Sequence, residues 1–317
     1  MSRDRYPPFD LSQVRTYSLR ERPSKVRAEE FAKPPRGGAR FSEFLDSLPD
    51  ILGARDLKQV VARIVEARRR DRPVVLGMGA HVIKVGLSPV VIHLLETGSV
   101  TAVAMNGAGI VHDFEVAYAG FTSEDVDAAL GEGAFGMAEE TGRLVNQAIH
   151  DGLGQGFGIG RAVGAFLNRL KPPHLPLSIL AAADRLDLPA TVHVALGTDI
   201  VHMHPAASGA EIGEASHRDF RTLTSVVADL DGGGVYLNVG SAVILPEVFL
   251  KAVTLVRNRG LKLEGLTTVN LDFLQHYRPL TNVVRRPVKG VGQGFALTGH
   301  HEILLPLLAF ALADARR

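Results

Sequence analysis

Short apolar runs that halt at glycine, each followed by a segment with helical spacing, recur along most of this chain. Before the first of them, 41–52 and 56–70 read as helices. In the second, Leu57, Val60, Val61, Ile64 and Val65 recur every three to four positions, and Arg68–Arg70 close it. PVVLGM (73–78) is a β-rich run that stops in Gly77-Met78-Gly79-Ala80-His81. A helix over 87–96 follows, with Pro89 in its first turn and Gly98 past its end. SVTAVAM (99–105) repeats the pattern into Asn106-Gly107-Ala108-Gly109, with a helix opening near His112-Asp113. Spacing predicts helices over 123–130 and 133–150. Glycines at 152, 154, 156, 158 and 160 predict a mobile loop before a helix at 161–170. A helix at 177–186 and a strand at 190–196 come next, and that strand runs into Gly197–Pro205. The last units are a helix at 219–228, the strand VYLNVG (235–240) after Gly232-Gly233-Gly234, and a helix at 241–258. LEGLTTV (263–269) then reads as a strand, GFALTG (294–299) as another, and His300-His301 lead into an apolar closing helix.

Five or six such units with no break in composition predict an α/β fold. We expect a single doubly wound, mostly parallel, Rossmann-like sheet with helices on both faces over residues 41–317. Residues 1–40 are rich in Arg and Pro and end in KPPRGG, so they read as an N-terminal arm. Such an arm is either a loosely packed tail or a strap across a neighbouring subunit. With 46% hydrophobic residues, the chain has enough apolar side chains for a substantial core. A net charge of +1 gives no reason to expect a nucleic-acid partner. The absence of cysteine removes disulfides and thiolate catalysis and fits a cytoplasmic location. No signal-peptide core and no run of eighteen apolar residues is visible, so no membrane partner is expected.

Candidate chemistry clusters at strand ends. His81, His112, His202, His204, His300 and His301 all fall at or just after predicted strand carboxyl ends, as do Asn106, Asp113, Asp199, Thr267, Thr268 and Asn270. In a parallel sheet those ends share one edge, where ligands bind. Glycine suits loops there because backbone amides must approach phosphate oxygens closely. The spacing is not G-x-G-x-x-G, and no Walker loop or nucleophile elbow appears. His202-Met203-His204 is an H-x-H pair, and on a strand both rings would face one ion. Metal binding at His202 and His204 therefore stays open as an alternative.

GMGAHVIKVGLSPVVIHLLETG followed by VTAVAMNGAGIVHDFE resembles the core of deoxyhypusine synthases. The likeness continues in order through LPATVHVALGTD, DLDGGGV, LTTVN and ILLPLL, over about residues 55–312. The resemblance implies that Met78, Gly79, Asn106, Gly107, Ala108, Gly109 and Asp199 line an NAD pocket, closed by Thr267, Thr268, Gly299 and His300. It also implies a homotetramer with active sites at a dimer interface. The chain departs from the family where that family carries its imine-forming lysine. NLDFLQHYRPLTNVVRRPVKG has no tryptophan and no lysine in register, and Arg285 and Arg286 lie nearest. A guanidinium stays protonated and cannot form an imine. Lys289 would need a register slip, and Asn238 stands where the family has a histidine.

The expectation is thus an NAD-dependent enzyme acting on a small amine or hydroxyl substrate, and not a deoxyhypusine synthase. His112 or His204 would accept a proton, and Arg285 and Arg286 would hold an anionic substrate group. A metal-dependent hydrolase and a non-catalytic nucleotide-binding protein are the rival readings.

Overall fold

The computed structural model describes residues 6–315. After α1 (Phe41–Ser47) and α2 (Leu52–Arg69) the chain alternates strand and helix. The first strands and the helices after them are β1 (Val74–Met78), α3 (His81–Lys84), α4 (Ser88–Glu96), β2 (Ala102–Asn106) and α5 (Gly107–Ala119). A helical stretch follows: α6 (Val126–Leu130), α7 (Glu139–Gly154), α8 (Ile159–Leu170) and α9 (Ile179–Arg185). The second half comprises β3 (Ala190–His193), α10 (Gly209–Ala228), β4 (Val235–Val239), α11 (Ile244–Asn258) and β5 (Thr267–Asp272). It ends with α12 (Tyr277–Pro279), which continues as a π-helical stretch (Leu280–Arg285), then β6 (Gln293–Thr298) and α13 (His301–Asp314).

All six strands are parallel, in the order β3-β2-β1-β4-β5-β6. This is the strand order of dinucleotide-binding folds, in which the direction of winding reverses between β1 and β4. Strand alternation feeds two cores. Val74, Leu76, Met78, Val103 and Met105 pack under α2, α4, α5, α8, α9 and α13. Val75, Ala102, Ala104 and Tyr236 point the other way, against α10 and α11. Gly77 keeps that second layer closed, because a Cβ there would lie 2.3 Å from the Tyr236 hydroxyl. Tyr236 in turn stacks on Phe249 with ring centroids 3.8 Å apart.

Four sequence expectations are corrected. The helix expected near His112 begins at Gly107, with Asn106 ending β2 and capping α5 in one step. The helix expected at 219–228 begins ten residues earlier, where Ser208 accepts from the Glu211 amide. The glycine-dense stretch at 152–160 is mostly helical, with only four residues between α7 and α8. The strand read at 263–269 starts at Thr267, because Leu263 (φ 60°) and Gly265 (φ 73°) turn through the left-handed region. Gly232 and Gly233, also left-handed, make the facing turn before β4. DLDGGGV therefore sits at the amino edge of the sheet, opposite the carboxyl ends of the strands.

Residues 6–40 hold one 3-10 turn (Ala28–Glu30) and lie almost entirely exposed. Phe9 and Leu11 are 83% and 73% exposed. Among the described residues no helix is long and apolar enough to cross a membrane.

Candidate active site

The carboxyl edge of the sheet collects the loops after all six strands. At its centre the loops after β1 and β4 touch. The Gly79 amide donates to the Val239 carbonyl at 2.9 Å, and a Cβ on Gly79 would lie 2.1 Å from the Gly240 oxygen. Gly79 is therefore required for backbone contact between two loops, and Met78 is fully buried beneath it.

On the β2–β3 side, α5 leaves the strand with no intervening loop. The Asn106 side chain accepts from the Gly109 amide at 3.2 Å. Gly107 backs onto Asp199 so closely that a Cβ would meet its carboxylate. Gly109 makes room for Met105, while Ala108 faces partly outward. Asp199 is half-buried, and burial raises its pKa against the opposing pull of His202 and Thr198. One turn further along α5, His112 Nδ1 meets the Thr122 hydroxyl at 2.6 Å, and Thr122 donates to Glu115 at 2.5 Å. Burial lowers the His112 pKa; Glu115 opposes that shift and Lys84 adds to it.

On the β5–β6 side, Asp272 and His301 are buried, with His301 Nε2 3.5 Å from the Asp272 carboxylate. The His301 ring lies 5.4 Å from that of His81 and 5.8 Å from that of Phe273, on which His300 stacks at 6.0 Å. Burial lowers the His301 pKa; Asp272 opposes this and His81 reinforces it. Asp272 did not stand out in the sequence. The signal that could have found it is its place at the end of an apolar strand once β5 is read in the right register.

Several expected site residues lie elsewhere. Thr267 and Thr268 begin β5, at the amino edge, and the Thr268 hydroxyl is spent on the Val283 carbonyl at 2.7 Å. The π-helical stretch carries Arg285 and Arg286 back toward that same edge. Pro287 just beyond them accepts from Arg257, at the end of α11, and both arginines are exposed. Arg286 bonds to Asn282. Lys289 is exposed there too. Asn238 lies inside β4 and donates to Asn270, which donates to Gln275, which reaches the Leu297 carbonyl. This chain of amides ties the carboxyl ends of three strands together. Asp113 caps α9, accepting from Ser178, Ile179 and Leu180, and burial pushes its pKa up to about 6.

The H-x-H pair does not converge. Ile200–His202 is a 3-10 turn, not a strand, so the two rings diverge. His202 Nδ1 accepts from the Gly197 amide at 3.2 Å. His204 Nδ1 accepts from the Ala206 amide, which leaves Nε2–H to donate to Glu139 at 3.1 Å. Among the described residues no group of three or more His, Asp or Glu side chains is placed to hold a metal ion. A cleft of about 720 Å³ lies between the arm and α1 and is lined by Lys33–Arg36, Glu43 and Phe44, away from this edge.

No family model matches the sequence, and comparison with curated proteins gives no match. Solved structures share the fold. The ternary complex of AgrE with ornithine and NAD+ superposes with TM-score 0.52 at 17% identity, over 82% of this chain and 33% of AgrE. A provisionally assigned LOR/SDH protein from Methanococcus maripaludis S2 gives 0.51 at 14% identity, over 90% and 74% of the two chains. A provisionally assigned deoxyhypusine synthase from Entamoeba histolytica gives 0.49 at 12% identity, over 87% and 94%. The chain spans a third of the length of AgrE.

Proposed function

We propose that this protein is an NAD-dependent enzyme acting on a small amine or hydroxyl substrate at the carboxyl edge of its sheet. One observation carries the reading: α5 opens straight from β2 with a Gly-Ala-Gly first turn, beside the β1/β4 reversal of a sheet in dinucleotide order. A helix start without bulky side chains, its dipole positive outward, suits a pyrophosphate. The Asp199 carboxylate beside Gly107 suits a ribose hydroxyl, which would donate to it. AgrE, of the same fold, was crystallised with ornithine and NAD+. Bound NAD would supply a hydride acceptor. The chain's own part is to bind and orient the substrate and to take its proton, a role we assign to His112 on α5. Imine chemistry at Lys289 forms no part of the proposal, since that lysine is exposed at the opposite edge.

Melting in the presence of NAD, NADP and AMP tests this. A ligand bound only by the folded state adds about 2.7 kcal/mol at a hundredfold excess over its Kd. NAD should raise Tm more than AMP does. If no adenine nucleotide at millimolar concentration moves Tm, the proposal fails.

We also infer a homo-oligomer, a tetramer by the resemblance above. Phe9, Leu11, Tyr17 and Leu19 of the arm are each at least 69% exposed, an apolar set that a neighbouring copy would cover. Light scattering should give about four times the 34.0 kDa chain mass. A mass of one chain at micromolar concentration would contradict it.

A further inference from the structure

We propose that Glu115, acting through the Thr122 hydroxyl, fixes His112 in the tautomer that leaves Nε2 as the proton acceptor of the site. Gly120 ends α5 in the left-handed region (φ 81°), and the chain turns back at once. That turn sets Thr122 back against Glu115 and His112 of the helix just ended. The Thr122 hydroxyl has a single proton, and an ionised carboxylate only accepts. The proton goes to Glu115 Oε2 at 2.5 Å, so at 2.6 Å the hydroxyl oxygen can only accept from His112 Nδ1–H. Thr141 donates to the other Glu115 oxygen at 3.0 Å and holds the carboxylate in place. Neutral His112 therefore carries its proton on Nδ1 and a lone pair on Nε2, to which no described residue is hydrogen-bonded.

The proposal rests on the NAD-enzyme reading for what that lone pair serves. When a substrate O–H or N–H bond breaks, its proton forms a bond to Nε2 and the bonding pair stays on the substrate heteroatom. The ring becomes an imidazolium that still donates from Nδ1 to Thr122. Glu115 balances the new charge across the hydroxyl, while Lys84, the other charged group acting on the ring, opposes it. Burial and Lys84 keep His112 below the ordinary histidine range, so it is neutral and able to accept near pH 7. Glu115 and Thr122 are positioning residues, and neither needs to touch substrate.

Long-range proton–nitrogen NMR of 15N-histidine-labelled protein, with no cofactor added, reads the tautomer directly. His112→Gln identifies the signal. The wild type and Thr122→Ser should show Nδ1 protonated and Nε2 bare. Glu115→Gln should reverse this, because an amide can donate to Thr122 and release the hydroxyl proton toward Nδ1. Thr122→Val should lose the Nδ1–H preference. Should that variant not fold, the wild type and Glu115→Gln decide. A wild-type Nε2–H tautomer, or an unchanged tautomer in Glu115→Gln, overturns the proposal. A failed NAD melting test would remove the substrate step and leave this spectrum unaffected, so the two failures are distinguishable.

Discussion

Asp219→Ala should lower the unfolding free energy by about 3–5 kcal/mol, since each buried amide left without a partner costs about 1–3 kcal/mol. Asp219 is buried in α10, and its carboxylate accepts from Gly160 at 3.0 Å and Val192 at 2.8 Å, with Ile159 as a further donor. It therefore joins the first turn of α8, the edge strand β3 and α10 at one point. Gly158 is shaped to it, because a Cβ there would meet the carboxylate at 1.9 Å. Burial pushes the Asp219 pKa up to about 7, against the pull of the three amides. The folded value thus exceeds that of the unfolded chain, about 3.9. The native state keeps a proton that the unfolded state releases. This contribution to stability is complete below the unfolded value and is lost as pH rises through about 7. Asp219→Asn should flatten that part of the pH dependence. Urea unfolding between pH 4 and 8 checks both variants. An Ala variant within 1 kcal/mol of wild type, or an Asn variant with an unchanged pH slope, would contradict the assignment.

Gly79→Val should be the most damaging change at the carboxyl edge, costing about 3 kcal/mol or more, the upper range for overpacking a closed site. The obstacle is the Gly240 carbonyl, 2.1 Å from the new Cβ, and it belongs to backbone that cannot rotate away. The β1 and β4 loops would have to part, and the Gly79–Val239 hydrogen bond would go with them. Gly86 is the control: it is exposed, and a Cβ there meets nothing within 4 Å, although its φ of 78° still carries a smaller backbone cost. Thermal melting orders the two. Equal losses at Gly79 and Gly86 would show that contact between the loops is not what glycine provides.

The fold was legible because its signals are local. Unbroken apolar runs at Val74–Met78 and Ala102–Met105, each stopping at glycine and followed by helical spacing, are enough to give buried parallel strands with helices between them. The site was legible only in part, and register decided which part. Asn106–Gly109 and Asp199 lie far apart in sequence, and strand order alone brings them together. Thr267 and Thr268 were misplaced because LEGLTTV has β-like composition, while the left-handed turn at Leu263–Gly265 depends on backbone geometry that composition does not show. Arg285 and Arg286 were assigned by resemblance to a segment whose path back to the amino edge follows from the π-helical stretch. The Glu115–Thr122–His112 arrangement needs the turn at Gly120, and no spacing rule announces it.

The central claim is that the first turn of α5 receives the phosphates of NAD. Calorimetric titration of NAD into Ala108→Glu tests it most directly. Ala108 is the second residue of α5 and is partly exposed. A carboxylate there favours the helix dipole by about 0.3–1 kcal/mol, so the fold should hold, yet it sets a negative charge where the pyrophosphate would lie. The account predicts that wild type and Arg285→Ala bind NAD alike, and that Ala108→Glu melts no lower than wild type while binding at least tenfold more weakly. Undiminished NAD binding by a folded Ala108→Glu, or no binding by the wild type, would contradict it.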